Sequence, residues 1–161
     1  MRHLPVAVVL VISASLPADG AEQEEDFVGT WGLERIEQRN DAGQWTQSSS
    51  RLGPPTVGYL MYDSGGNMAV QIMRGDRPRF ASDVADEVTS DEAKPALQGY
   101  VAYFGTYSVD EDEGSVTHHR IGNIVPNLVG VDAKRFYMLQ DERLTLTIPS
   151  GDVRLIWRRL N

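Results

Sequence analysis

Gly99-Tyr100-Val101-Ala102-Tyr103-Phe104-Gly105-Thr106-Tyr107-Ser108-Val109 runs into Asp110-Glu111-Asp112-Glu113-Gly114 and returns as Ser115-Val116-Thr117-His118-His119-Arg120-Ile121. Two runs rich in aromatic and β-branched residues, joined by a short acidic stretch that ends in Gly, predict an antiparallel hairpin. Side chains alternate along a strand. Val101, Tyr103, Gly105, Tyr107 and Val109 therefore share one face, and Ala102, Phe104, Thr106 and Ser108 the other. The acidic turn lacks the ligand spacing and closing Glu of a calcium loop, so it reads as a solvated connector.

The same pattern extends outward from this hairpin. Upstream, Val57–Tyr62 and Asn67–Arg74 flank the turn Asp63-Ser64-Gly65-Gly66. Thr30–Ile36 is the first strand, Asp41-Ala42-Gly43 turns, and Trp45–Ser49 returns. Gly53-Pro54-Pro55 cannot sit inside a sheet. Downstream, Lys134–Leu139, Arg143–Ile148 and Val153–Leu160 form a meander with short connectors. The alternation lapses at a loop from Gly122 to Asp132, with Pro126 and Asn127, and for longest between Arg74 and Gly99. There Gly75–Val88 is irregular, and Thr89-Ser90-Asp91-Glu92 forms a capping box for a short helix to Gln98, with Pro95 working against it. About eight strands at near-regular spacing, linked by hairpins, predict an all-β, antiparallel up-and-down barrel with one short inserted helix, since closure hides the sheet edges. A sandwich is the alternative. A barrel of this size has room for its own side chains and one small ligand.

Composition narrows the chemistry. The chain has 161 residues, which suits one domain, and a net charge of -8, which disfavours nucleic acid and anionic membrane surfaces. It contains no cysteine, so disulfides, thiolate metal sites and cysteine nucleophiles are excluded. No phosphate loop, nucleophile elbow or zinc-protease motif occurs, and no cofactor is implied. Residues 1–20 read as a signal peptide: Arg2 and His3 at the start, an apolar run Leu4–Leu16, and small residues Ala18 and Gly20 before a cleavage expected at Ala21. The run is shorter than the roughly 20 residues of a membrane span, so no integral span is expected after cleavage. Residues 21–26 read as an acidic linker and 27–161 as the domain. The expected location is periplasmic or secreted.

Several stretches resemble the lipocalin-like domain family of bacterial and fungal proteins, a divergent relative of the lipocalins. They are Phe27-Val28-Gly29-Thr30-Trp31, Gly58-Tyr59-Leu60-Met61-Tyr62, Met68–Arg74, Asp76–Ala81, Gly99–Tyr107 running on to Val116-Thr117-His118-His119, Pro126-Asn127, and Leu144-Thr145-Leu146-Thr147. The resemblance implies a barrel open at one end and no single activity. It also implies that Gly29 and Trp31 are structural: Trp31 closes the floor beneath an Arg of the last strand, for which Arg154, Arg158 and Arg159 compete.

The candidates for binding follow from parity. His118 and His119 are adjacent, so one faces inward and the other out, and they cannot together hold a metal. His3 lies in the leader, which leaves no third histidine for a metal triad. Tyr103 and Tyr107 suit a cavity wall, apolar in body with a hydroxyl tip. Gln71 and Met73 would line the cavity if their face of Asn67–Arg74 points in, and are solvated or filler otherwise. Arg74, Arg77 and Arg79, near Phe80, could serve a lid at the open end, and Arg135 on its strand could meet an anionic group. Three readings stand open: a binder of a small, largely apolar molecule, an isomerase- or cyclase-type enzyme using His118 or His119 as acid or base, and a ligand-free accessory barrel.

Overall fold

A computed structural model describes residues 25–160. The expected signal peptide lies outside them. Nine strands follow in order: β1 (Gly29–Arg39), β2 (Trp45–Gln47), β3 (Thr56–Tyr62), β4 (Asn67–Arg74), β5 (Tyr100–Asp110), β6 (Ser115–Asn123), β7 (Asp132–Gln140), β8 (Arg143–Thr147) and β9 (Val153–Leu160). All pairings are antiparallel. From β3 to β9 each strand bonds to the next, and β1 bonds to both β3 and β9, so eight strands close a barrel. The short β2 extends it, pairing with the far end of β1 through Glu37↔Gln47 and Arg39↔Trp45. β1 can serve three neighbours because β3 takes only Gly29–Gly32, while β9 runs along Thr30–Gln38 with a register shift between Leu33 and Arg35.

The connections separate the two ends. The tight turns at 63–66, 111–114 and 141–142 lie at one end, with residues 25–28; the long connections 40–55, 75–99 and 124–131 lie at the other. We call these the floor and the mouth. Helix α1 (Ser90–Gln98) sits in the longest mouth connection, with Thr89 at its N-cap and the Glu92 carboxylate accepting from the Thr89 N–H at 3.0 Å. Pro95 is accommodated within it. No residue of α1 is buried.

The floor is dense. Trp31 and Leu60 are fully buried, and Phe27 and Trp157 nearly so. Each large apolar side chain buried in this way stabilises the fold by roughly 1.5–3 kcal/mol. The Trp31 indole N–H donates to the Phe27 carbonyl at 2.9 Å, and the Phe27 ring stands edge-on to Tyr62 and Tyr137. Arg159 decides the competition among the terminal arginines. Its guanidinium lies 4.2 Å from the centre of the Trp31 ring and donates to the carbonyls of Val28 and Asp26 at 2.6 and 2.5 Å. Arg154 lies instead over Trp45, and Arg158 bonds Glu34. Gly29 is required beneath this contact. Its φ is +140°, and a β-carbon there would come within 2.8 Å of the Arg159 guanidinium. Glu25 and Asp26 form a helical turn with Phe27, and the Asp26 carbonyl accepts from Arg159; residues 21–24 of the expected linker lie outside the described residues.

Candidate functional site

His118 is the inward member of the histidine pair and is 1% exposed. Its ring lies between two tyrosine hydroxyls: Tyr62 Oη is 2.6 Å from Nε2, and Tyr103 Oη is 2.9 Å from Nδ1. Tyr62 comes from β3, Tyr103 from β5 and His118 from β6, so the chain of bonds crosses the barrel interior. Tyr107 packs against Tyr62 at 4.6 Å between ring centres, and its hydroxyl donates to the Asp63 carbonyl at 3.2 Å. The predicted face of β5 is thus the inward one.

Gly105 makes the β5–β6 contact possible. The register shifts between Phe104 and Gly105, and a β-carbon on Gly105 would sit 1.9 Å from the His119 carbonyl oxygen. Only glycine allows so close an approach of backbones. Beyond this bulge Arg120, two residues after His118, reaches over the Tyr103 ring at 5.7 Å and donates to the Val131 carbonyl at 2.5 Å. Arg135 lies on β7 between Ala133 and Tyr137 in the inward parity and donates to the Lys134 carbonyl at 2.7 Å.

Burial dominates the electrostatics of this cluster. Desolvation, with Arg135, Arg120 and His119 adding repulsion, pushes the His118 pKa down to about 3, so the ring is neutral. Desolvation also pushes the Tyr62 and Tyr103 hydroxyls above the usual phenol range. The interior therefore holds a neutral Tyr–His–Tyr chain flanked by two cations.

Other predicted residues lie elsewhere. His119 points outward, with Nε2 2.9 Å from the Ser108 hydroxyl and Nδ1 3.0 Å from Asp132. Gln71 and Met73 do not line the interior, because Met68, Val70 and Ile72 occupy the inward face of β4. They line an outer groove of about 360 Å³ with Tyr59, Tyr100 and Leu160, where the Tyr100 hydroxyl donates to Gln71 at 2.5 Å. Arg74 is exposed and paired with Asp76 at 2.6 Å, and Arg77 lies over the Tyr100 ring. Neither reaches the interior cluster. Arg79 and the exposed Phe80 line a separate surface pocket with Arg77. Sequence reading missed Tyr62 and Arg120. Arg120 shares the parity of His118, which could have flagged it; Tyr62 meets its partner 56 residues along the chain and carries no local signal.

The profile of the lipocalin-like domain family matches residues 28–159. The chain belongs to that family. Among solved structures, a lipocalin-like protein from Bacteroides uniformis is 13% identical with a TM-score of 0.46, over 84% of this chain and 99% of that one. A DUF4847 family protein from Bacteroides vulgatus is 10% identical with a TM-score of 0.47, over 86% and 99%. A fatty acid binding protein from Schistosoma mansoni, in complex with arachidonic acid, is 13% identical with a TM-score of 0.39, over 86% and 98%. No curated protein matches the chain. Among the described residues of this lipocalin-like barrel, no group of three or more His, Asp or Glu gathers as metal ligands, and no helix is long and apolar enough to cross a membrane.

Proposed function

We propose that this lipocalin-like protein is exported and holds one small, largely apolar molecule inside its barrel, reached through the mouth. The observation that carries the reading is the gathering of a few polar side chains inside an otherwise apolar barrel. The Tyr62–His118–Tyr103 chain, with Arg120 and Arg135 beside it, is set among Val70, Ile72, Leu144 and Leu146, above a floor of Trp31 and Leu60. An apolar interior with a few placed polar groups is the form of a small-ligand site. The test is native mass spectrometry of protein purified from its own host. A bound small molecule is expected, and its mass should disappear when the barrel is unfolded. Protein carrying no adduct, and unable to bind any apolar probe, would overturn the reading. Export rests on the leader, and the intact mass of the purified protein tests it: a chain starting at Ala21 supports it, and one retaining residues 1–20 refutes it.

The enzyme reading gains one observation, since His118 lies within hydrogen-bond reach of two tyrosine hydroxyls. It loses more. Both ring nitrogens are engaged, and a pKa near 3 makes His118 a weak base at neutral pH. The His118 cluster is better suited to orienting a bound group than to moving its protons.

A further inference from the structure

The direction of the Tyr62–His118–Tyr103 chain follows from its inner end. A neutral imidazole has one N–H and one bare nitrogen. The Tyr62 hydroxyl is buried, and its partner among the described residues is His118 Nε2. If Nε2 carried the proton, the Tyr62 O–H would be a buried donor with no acceptor, the costlier state. Tyr62 therefore donates to Nε2, Nδ1–H donates to the Tyr103 oxygen, and the Tyr103 O–H is left for a further acceptor. Tyr103 is also the member of the chain that is partly exposed.

The two inward arginines have the same need. Among the described residues no carboxylate pairs with Arg120 or Arg135; the ion pairs of the protein lie elsewhere. Their hydrogen bonds go to the backbone carbonyls of Val131, Asp132 and Lys134, which orient a guanidinium without neutralising it. Part-buried cations of this kind are stabilised by an anion with matching acceptors. Two guanidinium groups and one free O–H thus face the same interior, in a protein whose net charge is -8.

We infer that Arg120, Arg135 and Tyr103 form a seat for the carboxylate of an otherwise apolar ligand, with the Tyr62–His118 pair fixing Tyr103 as a donor. A planar carboxylate suits the guanidinium fork and leaves a lone pair for the Tyr103 hydroxyl. The apolar body would extend along Val101 and Leu155. Tyr62 and His118 are positioning residues; they act through Tyr103. This inference rests on the proposed binding function and sharpens it to one ligand class.

Calorimetry with dodecanoate, methyl dodecanoate and dodecanol tests it on the full mature chain. The acid is expected to bind about tenfold or more tightly than the ester or the alcohol, a preference that shrinks with added salt. Arg120→Gln and Arg135→Gln should each remove most of that preference, and Tyr103→Phe about fivefold of it, while far-UV circular dichroism and urea unfolding close to wild type report an intact barrel. Equal binding of all three probes by the wild type, or a preference that survives the double arginine variant, would overturn the seat and leave the binding function standing. Failure of all three to bind would overturn the seat, and the search for a host-derived adduct then decides the binding function on its own. Nitrogen NMR of His118 checks the polarity separately: a proton on Nδ1 is expected, and one on Nε2 would refute the assignment of Tyr103 as donor.

Discussion

The floor and the mouth of this barrel are built from the same strands, and each places arginine against aromatic rings, yet the outcomes differ. At the floor Arg159 lies on Trp31 with two backbone carbonyls accepting from it, and the Glu142 carboxylate is 4.0 Å away. Toward the mouth Arg120 lies near Tyr103 and Arg135 near His118, with backbone carbonyls as their acceptors and no carboxylate paired with either among the described residues. A cation with ring, carbonyls and carboxylate around it acts as a structural tie. The same group without the carboxylate is what an anionic ligand can complete.

The comparison is most exposed to Trp31→Ala. Truncating a fully buried Trp should cost about 3–5 kcal/mol in urea unfolding, enough to threaten folding altogether. A loss below about 1 kcal/mol would mean that the floor does not hold the barrel together.

Acid should separate the two ends next. The folded pKa of His118 is near 3, far below its ordinary 6.5, so between these values the unfolded chain binds a proton that the native protein refuses. This contribution is complete above pH 6.5 and is lost as the pH falls toward 3. Between pH 6.5 and 5, before most carboxylates titrate, stability should drop by about 1–2 kcal/mol. In His118→Gln the slope in that window should vanish. If the variant keeps the same slope, His118 is not the group responsible.

Leu155→Ala tests the mouth directly. Because this side chain is only partly buried, the expected cost is about 1 kcal/mol, with a clear change in which apolar probes bind. A cost matching that of Trp31→Ala would erase the distinction between the ends. Smallest of all should be Gln71→Ala on the outer wall, within about 0.5 kcal/mol of wild type in stability and without effect on binding inside. Altered interior binding would show that the outer groove communicates with the barrel.

Much of the architecture was legible in the sequence because it is written locally. Asn67–Arg74 appears as predicted, turned by Asp63, whose carboxylate accepts the Gly65 and Asn67 N–H groups. The Thr89–Glu92 box opens α1 where expected. The facing of the strands was less legible, and the outer wall explains why. Tyr59, Met61, Phe104 and Ile121 are large and apolar yet well exposed, so hydrophobicity does not separate the two faces of β3, β5 and β6. On β4 the apolar face of Met68, Val70 and Ile72 does point inward, and Gln71 and Met73 take the outward one of the two facings the sequence left open. The site depended on register across the barrel as well. His118 and Tyr103 were visible as candidates, but nothing near them in the chain announces Tyr62, and the bulge at Gly105 that presents Arg120 is a property of two backbones in contact.

The contact between Arg159 and the segment from Asp26 to Val28 also sets the timing of synthesis. β1 has its most extensive pairing with β9, and the floor around Trp31 is finished only by a residue made more than a hundred positions later. On the ribosome the first strand must wait, its pairing with β9 unmade, until the ninth has emerged. Closure of this kind makes early folding slow. For a chain that we propose crosses a membrane before it folds, that delay keeps it threadable through a translocation pore.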